Sequence, residues 1–252
     1  MLLETVDLGV RFGGVWALHD FDLQVEEGEV RGFIGPNGSG KTTLFNAITG
    51  RHAPSSGQVL FKGRDIRKCD PGERARLGIT LKFQITSVFA GLSVLDNILL
   101  GLMGPRPVLG ELRRSARDCG EMERAEDLLS SIGLWEKRGD IAGTLAHGEK
   151  GWLEIGMALA TEPTLLLLDE PASGMGADET ARTVELVRKI RVGRTILIIE
   201  HDMEFVRSVA DSITVLFRGG LLTHGDYDTI KSDERVIDAY LGRGRAHGSP
   251  GS

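Results

Sequence analysis

Gly35-Pro36-Asn37-Gly38-Ser39-Gly40-Lys41-Thr42, with Thr43 next in line, is the stretch that decides how this chain reads. It fits the pattern G-x-x-x-x-G-K-[ST]. The run Val30 to Ile34 before it reads as a strand, and Lys41 to Thr49 after it as a helix ended by Gly50 at the C′ position. That setting has a mechanical reason. Glycines remove the Cβ atoms that would keep successive N–H groups from curling around a phosphate, and the N-terminus of the helix adds partial positive charge. Lys41 is placed to reach β- and γ-phosphates, and the Thr42 hydroxyl to ligate Mg²⁺. The motif in this context predicts nucleoside triphosphate binding; without the context it is a glycine turn.

Working outward, Phe21, Leu23 and Val25 alternate as in a strand and lead through the turn Glu26 to Gly28 into the strand before the loop. Ala53 to Gly57 is a turn, succeeded by expected strands Gln58 to Lys62 and Ile79 to Gln84. Between about Ile85 and Gly143 strand signals vanish. Glu111 to Ile132 carries Leu112, Ala116, Met122, Ala125, Leu128, Leu129 and Ile132 at helical spacing, which predicts a helical insert. Beyond it, helix Lys150 to Ala160, strand Leu165 to Asp169, helix Glu179 to Ile190 and strand Thr195 to Glu200 alternate, as in a parallel sheet covered on both faces. A hairpin through Arg218 to Gly220, a helix near Glu234 to Tyr240 and a frayed Gly/Arg/Ser-rich tail from Gly242 to Ser252 close the chain.

Composition limits the function classes. The 252 residues suffice for one large domain or a core with a subdomain, and 41% apolar with 26% charged residues excludes disordered and collagenous chains. Thirty basic against 36 acidic residues give a net charge of −6, so there is no global electrostatic footprint for nucleic acid. The longest apolar runs, Leu165 to Leu168 and Ile196 to Ile199, fall far short of the roughly 18 residues of a membrane span. Any membrane role is expected to be peripheral. Glu4, Asp7, Asp20 and Asp22 interrupt the first 25 residues, unlike a signal peptide. Cys69 and Cys119 have neither metal spacing nor framework density and read as reduced cytoplasmic thiols.

Further residues carry chemistry. Leu165 to Leu168 is a buried-type strand that delivers Asp169 and Glu170 to the sheet edge bearing the phosphate loop. There Asp169 suits holding Mg²⁺ through water, and Glu170 suits orienting or deprotonating an attacking water. The alternative for an isolated acidic pair is a solvated strand end. His201 ends another buried strand at the same edge and can donate to a γ-phosphate oxygen, against the plainer reading of a structural histidine. Gln84, closing its own strand, can touch metal or water and relay position to the segment after it.

Taken together and in this order, these residues resemble the nucleotide-binding subunits of ABC transporters over essentially the whole chain. The resemblance implies an α/β fold: a P-loop NTPase (ABC ATPase) core with a mainly parallel sheet, an N-terminal antiparallel β subdomain and an α-helical insert. Phe12 looks like the aromatic that stacks on adenine, with a core position as the alternative. Gly35, Pro36, Asn37, Gly38, Ser39, Gly40, Lys41, Thr42 and Thr43 look like the Walker A loop, and Gln84 like the Q-loop glutamine, a catalytic and metal-contacting position. Asp169 and Glu170 correspond to the Walker B acid and catalytic glutamate, and His201 to the switch histidine. Ala146, His147, Gly148 and Glu149, after Leu145, occupy the signature, where Ala146 replaces serine, His147 glycine and Glu149 glutamine. On this reading Ala146 keeps only a backbone N–H for the γ-phosphate held by an opposite subunit. Gly176 stands where many members have aspartate.

The resemblance places the ATP-binding domain at 1–242, with the helical subdomain at about 85–148 inserted in a RecA-like core and a flexible tail at 243–252. It implies ATP and Mg²⁺, ATP hydrolysis, and a peripheral position on the cytoplasmic face of the inner membrane. The implied partners are integral permease subunits, a second ATP-binding subunit in a heterodimer (a homodimer being the other arrangement) and, indirectly, a periplasmic solute-binding protein, without nucleic acid. A finer resemblance to the urea-type ATPase of the urea and branched-chain amino acid importer group rests on Lys82-Phe83-Gln84, Ser87-Val88-Phe89, Glu154-Ile155-Gly156-Met157, Glu200-His201-Asp202-Met203 and Tyr240-Leu241-Gly242-Arg243. It implies uptake of urea, a branched-chain amino acid or a short amide. The competing readings are a soluble ABC-type switch on nucleic acid or ribosomes, a subunit of a different ABC transporter, and an inactive regulatory paralogue.

Overall fold

Three strands made almost wholly of apolar residues, β3 (Val30–Ile34), β7 (Leu165–Asp169) and β8 (Thr195–Ile199), are buried along their full length and form the centre of the molecule. A strand of that composition has no polar face to turn to water, so it needs cover on both sides. The computed structural model describes residues 1–82, 88–103 and 119–241. In it these strands belong to a six-stranded sheet of order β10-β9-β3-β8-β7-β6, with β6 (Ile79–Lys82), β9 (Ser212–Phe217) and β10 (Gly220–Gly225). All neighbours are parallel except β9 and β10, which form the hairpin expected around Arg218. A second, antiparallel sheet of order β2-β1-β4-β5 is made by β1 (Leu3–Phe12), β2 (Val15–Val25), β4 (Ser56–Phe61) and β5 (Arg64–Asp65).

The period-two alternation of strand side chains divides the core cleanly. Leu165, Leu167, Leu197 and Ile199 face the antiparallel sheet and helix α1 (Lys41–Thr49), joining Phe21, Phe33 and Phe45. Leu166, Leu168, Ile196 and Ile198 face the other way, into a cluster with α3 (Val94–Met103), α4 (Cys119–Ser131), α5 (His147–Leu159) and α6 (Ala177–Ile190). Each fully buried leucine or isoleucine stabilises the fold by about 1.5–3 kcal/mol relative to exposure. Shorter helices α2 (Pro71–Arg76), α7 (Met203–Val209), α8 (Tyr227–Ser232) and α9 (Glu234–Leu241) lie among the described residues as well.

The helix of the phosphate loop is fixed at its far end by a residue that local patterning does not reveal. Gly50 ends α1 in the left-handed conformation at φ 80°. The buried Arg74 of α2 donates to the carbonyls of Ala47 (2.6 Å) and Ile48 (2.8 Å), two of the groups a helix end leaves unsatisfied. The expected helix Glu179 to Ile190 begins two residues earlier, at Ala177, because the Gly176 N–H is capped by the Glu179 carboxylate at 3.1 Å. Of the expected strand Ile79 to Gln84, the part from Phe83 on lies outside the described residues, as do Glu111 to Asp118 of the expected insert helix and the whole Gly242 to Ser252 tail.

Candidate functional site

The phosphate loop folds because its glycines adopt backbone angles closed to other residues. Gly35, Gly38 and Gly40 have φ of 149°, 78° and 106°, and a Cβ on Gly40 would lie 2.6 Å from the Ala17 carbonyl. Lys41 is buried at the start of α1. Its ammonium donates to the Gly35 carbonyl at 2.7 Å and the Pro36 carbonyl at 3.1 Å, so the loop supplies the acceptors itself. Burial pulls the Lys41 pKa down, and the charges of Glu170 and Asp169 oppose that. A cavity of about 420 Å³ is lined by Phe12, Ala17, Asn37 to Thr43, Glu170 and His201. Residues far apart in sequence thus share one space. Phe12 is 49% exposed and set edge-on against His52, with ring centroids 5.2 Å apart, so it is not a core residue.

Opposite the loop, Glu170 adopts φ 49° although it has a side chain, a left-handed backbone that costs about 1–2 kcal/mol. Its N–H donates to Ile199 at 2.9 Å, which keeps the turn in place. His201 Nε2–H donates to Glu170 Oε1 at 2.6 Å. Glu200, which the sequence reading did not single out as a site residue, orients both: one carboxylate oxygen accepts from the Ala172 N–H (2.8 Å), the other from the His201 N–H (3.0 Å). Burial raises the Glu200 pKa, with these backbone donors opposing it. The signal available was a carboxylate closing an otherwise apolar strand next to a site histidine.

Asp169 is buried and, among the described residues, its Oδ1 has no hydrogen-bond partner. Native proteins avoid leaving a buried carboxylate oxygen unsatisfied, and an oxygen-seeking cation would satisfy it. The donor set therefore fits Mg²⁺. Burial first, and the adjacent Glu170 second, raise the Asp169 pKa to about 6, while Lys82 and Lys41 pull it down. Because the folded pKa lies above the unfolded one, the folded state holds a proton the unfolded chain has lost. Stability thus falls as pH rises through the window from about 4 to about 6. Asp169→Asn should stabilise the nucleotide- and metal-free protein at pH 7 by on the order of 2–3 kcal/mol and so raise its thermal midpoint, with the gain vanishing near pH 4. Melting curves in a chelator across that range check it.

At the signature the structure corrects the sequence reading twice. Helix α5 starts at His147, not near Lys150. And the Ala146 N–H, expected to be free for an anion, donates to the Glu149 carboxylate at 3.1 Å; Lys137 donates to the other oxygen of Glu149 at 2.7 Å. The third helical residue thus takes up the N-cap N–H, while Ala146 has no side-chain oxygen to accept from the Glu149 N–H in return. His147 Nε2 meets the Ser173 carbonyl at 3.1 Å, and Gly174, at φ 73°, leaves room for the ring. Gly148 is buried against Glu179. Gln84 lies outside the described residues.

The phosphate loop and its surroundings have counterparts in known proteins. Residues 18–173, well over half of the chain, match the model of the family described as ABC transporter. The chain belongs to the ABC transporter family. Residues 221–250 of this ABC chain also match a model described as branched-chain amino acid ATP-binding cassette transporter. It is 38% identical over 251 residues to the high-affinity branched-chain amino acid transport ATP-binding protein BraF of Pseudomonas aeruginosa, covering 96% of this chain and 98% of that one. It is 36% identical, with the same coverage, to the corresponding protein LivG of Escherichia coli K12. The crystal structure of the ADP conformation of MJ1267, an ATP-binding cassette of an ABC transporter, superposes with a TM-score of 0.85 at 33% identity, covering 96% of this chain and 98% of that one. This ABC chain is thus an ATP-binding subunit of the branched-chain importer group and an ATP hydrolase with the ABC ATPase fold. The names of BraF and LivG refer to branched-chain amino acids and not to urea. No described helix is long and apolar enough to cross a membrane.

Proposed function

We propose that this chain is the motor subunit of an importer for branched-chain amino acids, hydrolysing ATP on the cytoplasmic face of the membrane to drive separate permease subunits, with a solute-binding protein delivering the solute. The observation that carries the reading is the single cavity with Lys41 and Thr42 on one wall and the Glu170–His201 pair on the other. Choice of solute rests on the names of the relatives, which favour branched-chain amino acids over urea. The test is uptake into vesicles containing the permease, this chain, its partner subunit and the solute-binding protein. Labelled leucine should enter in an ATP-dependent way; ATP-driven entry of urea without leucine would reassign the solute.

On this reading residues 1–242 are the cassette, with the helical part at about 85–148. Phe12 stacks on the base. Lys41 exchanges the Gly35 and Pro36 carbonyls for phosphate oxygens, and the loop N–H groups of Gly38 to Thr43 surround them. Glu170 accepts the proton of the attacking water, held in orientation by His201, and Gln84 positions that water. Thr42, Asp169 and Gln84 would hold Mg²⁺, which when bound neutralises charge on the phosphate oxygens.

Two such cassettes bind ATP head to tail in the family, each signature completing the other subunit's site. Here the signature offers no hydroxyl at Ala146, and its N–H is occupied by a carboxylate that repels phosphate. These features support a heterodimer in which this chain's own loop, Glu170 and His201 work against a partner's signature.

Attachment is expected through the segment after Gln84. Val94 and Ile98 are buried in the core, whereas Phe89 is 53% exposed and Leu92 and Leu100 are also exposed, more apolar surface than a solvated face needs. Phe89→Asp should detach the chain from membranes containing its permease and leave soluble ATP binding unchanged, as read by co-sedimentation and nucleotide titration; retained attachment would move the docking site elsewhere.

A further inference from the structure

His147, the first residue of α5, stands in the signature, the segment that on the head-to-tail arrangement works on the nucleotide of an opposite subunit. Its imidazole nevertheless turns to its own chain, with Nε2 3.1 Å from the Ser173 carbonyl. A carbonyl can only accept, so Nε2 carries the hydrogen and donates. Ser173 in turn donates its N–H to the Glu170 carbonyl at 3.2 Å. Two hydrogen bonds therefore lead from the start of the signature helix to the backbone of the glutamate that faces the phosphate loop. His147, Ser173 and Glu170 also line one cavity, of about 250 Å³, beside the nucleotide cavity.

Glu170 to Ser173 is a tight turn with Pro171 at its second position, where a fixed φ suits the bend. It is entered through the left-handed Glu170, a conformation that persists only where the surroundings over-determine it. The Ile199 carbonyl and the Glu200 carboxylate hold the turn from β8 and the residue after it, by way of the Glu170 and Ala172 N–H groups. His147 holds its exit from α5. We propose that His147 is a positioning residue for Glu170 of its own chain, fixing the end of the turn that aims the carboxylate, and that it acts in this chain's own site and not in that of the opposite subunit. The inference rests on the proposed role of Glu170 as the base. Helix α5 does not depend on this contact for its place: Trp152 Nε1–H donates to Thr183 Oγ1 of α6 at 2.9 Å, and Leu153, Ile155 and Leu159 are in the core. His147 itself is exposed, so its replacement tests the turn and not the fold.

The experiment measures ATP turnover in the full complex with permease and partner subunit, with kcat and KM resolved separately. His147→Ala should melt like the wild type, keep KM for ATP within about twofold and lose about five- to tenfold in kcat, the range of one hydrogen bond. His147→Gln, whose amide N–H can reach the same carbonyl, should recover most of that loss. In the Glu170→Gln background, where no base remains to be aimed, His147→Ala should add nothing. Wild-type kcat in His147→Ala overturns the proposal, as does a loss that appears in KM or one that glutamine does not rescue. A further loss on top of Glu170→Gln also overturns it, because that result puts His147 at the opposite subunit's nucleotide. Glu170→Gln by itself separates the two readings: if it hydrolyses ATP normally, Glu170 is not the base, whereas a slow Glu170→Gln beside a fully active His147→Ala refutes the positioning role alone.

Discussion

Glu170→Gln should bind MgATP about as well as the wild type and hydrolyse it roughly 10²–10⁴-fold more slowly, the range that a positioned general base contributes. The amide keeps the shape and can still accept from His201 Nε2–H, so the 2.6 Å contact and the strained turn at φ 49° need not change. What it loses is the ability to take a proton from water. Loss confined to kcat would place the effect in the chemical step, and the ATP-bound, closed form should accumulate. Single-turnover phosphate release, with ATP binding measured on the same preparation, is the check. Turnover within a few fold of wild type would remove Glu170 from the role of base. Glu200→Gln would separate orientation from chemistry, since Glu200 accepts from the backbone N–H groups of Ala172 and His201.

Lys41→Ala has the second large effect, on binding rather than on the proton transfer. The lysine donates to two loop carbonyls, and the same ammonium is the charge available to two phosphates. A hydrogen bond to a charged group contributes about 1.5–3 kcal/mol, so ATP affinity should fall by about 10²-fold or more. The fold should survive, because the core on either side of the central sheet is built from Leu165 to Leu168, Ile196 to Ile199 and their partners rather than from the loop. Equilibrium ATP titration and far-ultraviolet circular dichroism on one sample distinguish the outcomes; unaltered affinity would contradict the phosphate-loop reading.

Much of this was legible in the sequence because the physics involved is local. An all-apolar strand such as Leu165 to Leu168 demands cover on both faces wherever it lies, and glycine spacing with a helix start directly after it defines a phosphate loop within ten residues. Asp169, Glu170 and His201 were legible for the same reason: parallel strands end at one sheet edge. What escaped depends on partners distant in sequence. Arg74 reaches the end of α1 from 26 residues away or more, Glu200 is read only through the backbone it holds near Glu170, and Lys82 meets Glu154 across the sheet edge. The start of α5 escaped because a signature with alanine has no capping side chain of the usual kind. Glu149 accepts from the Ala146 N–H from inside the helix, which closes the N–H that the sequence leaves open. Fine resemblance leaves urea and a branched-chain amino acid both open as solute, and it is the names of BraF and LivG that favour the second.

The central claim is that this chain provides one competent set of catalytic residues and a poor signature. It is tested most directly by the ATPase rate of the purified chain alone and after mixing with a second ATP-binding subunit and the permease. Slow hydrolysis alone, strong stimulation on mixing, and a far greater loss of the stimulated rate from Glu170→Gln than any change from Ala146→Ser is the expected result. Full, cooperative turnover by this chain alone, with no gain from a partner, would contradict it.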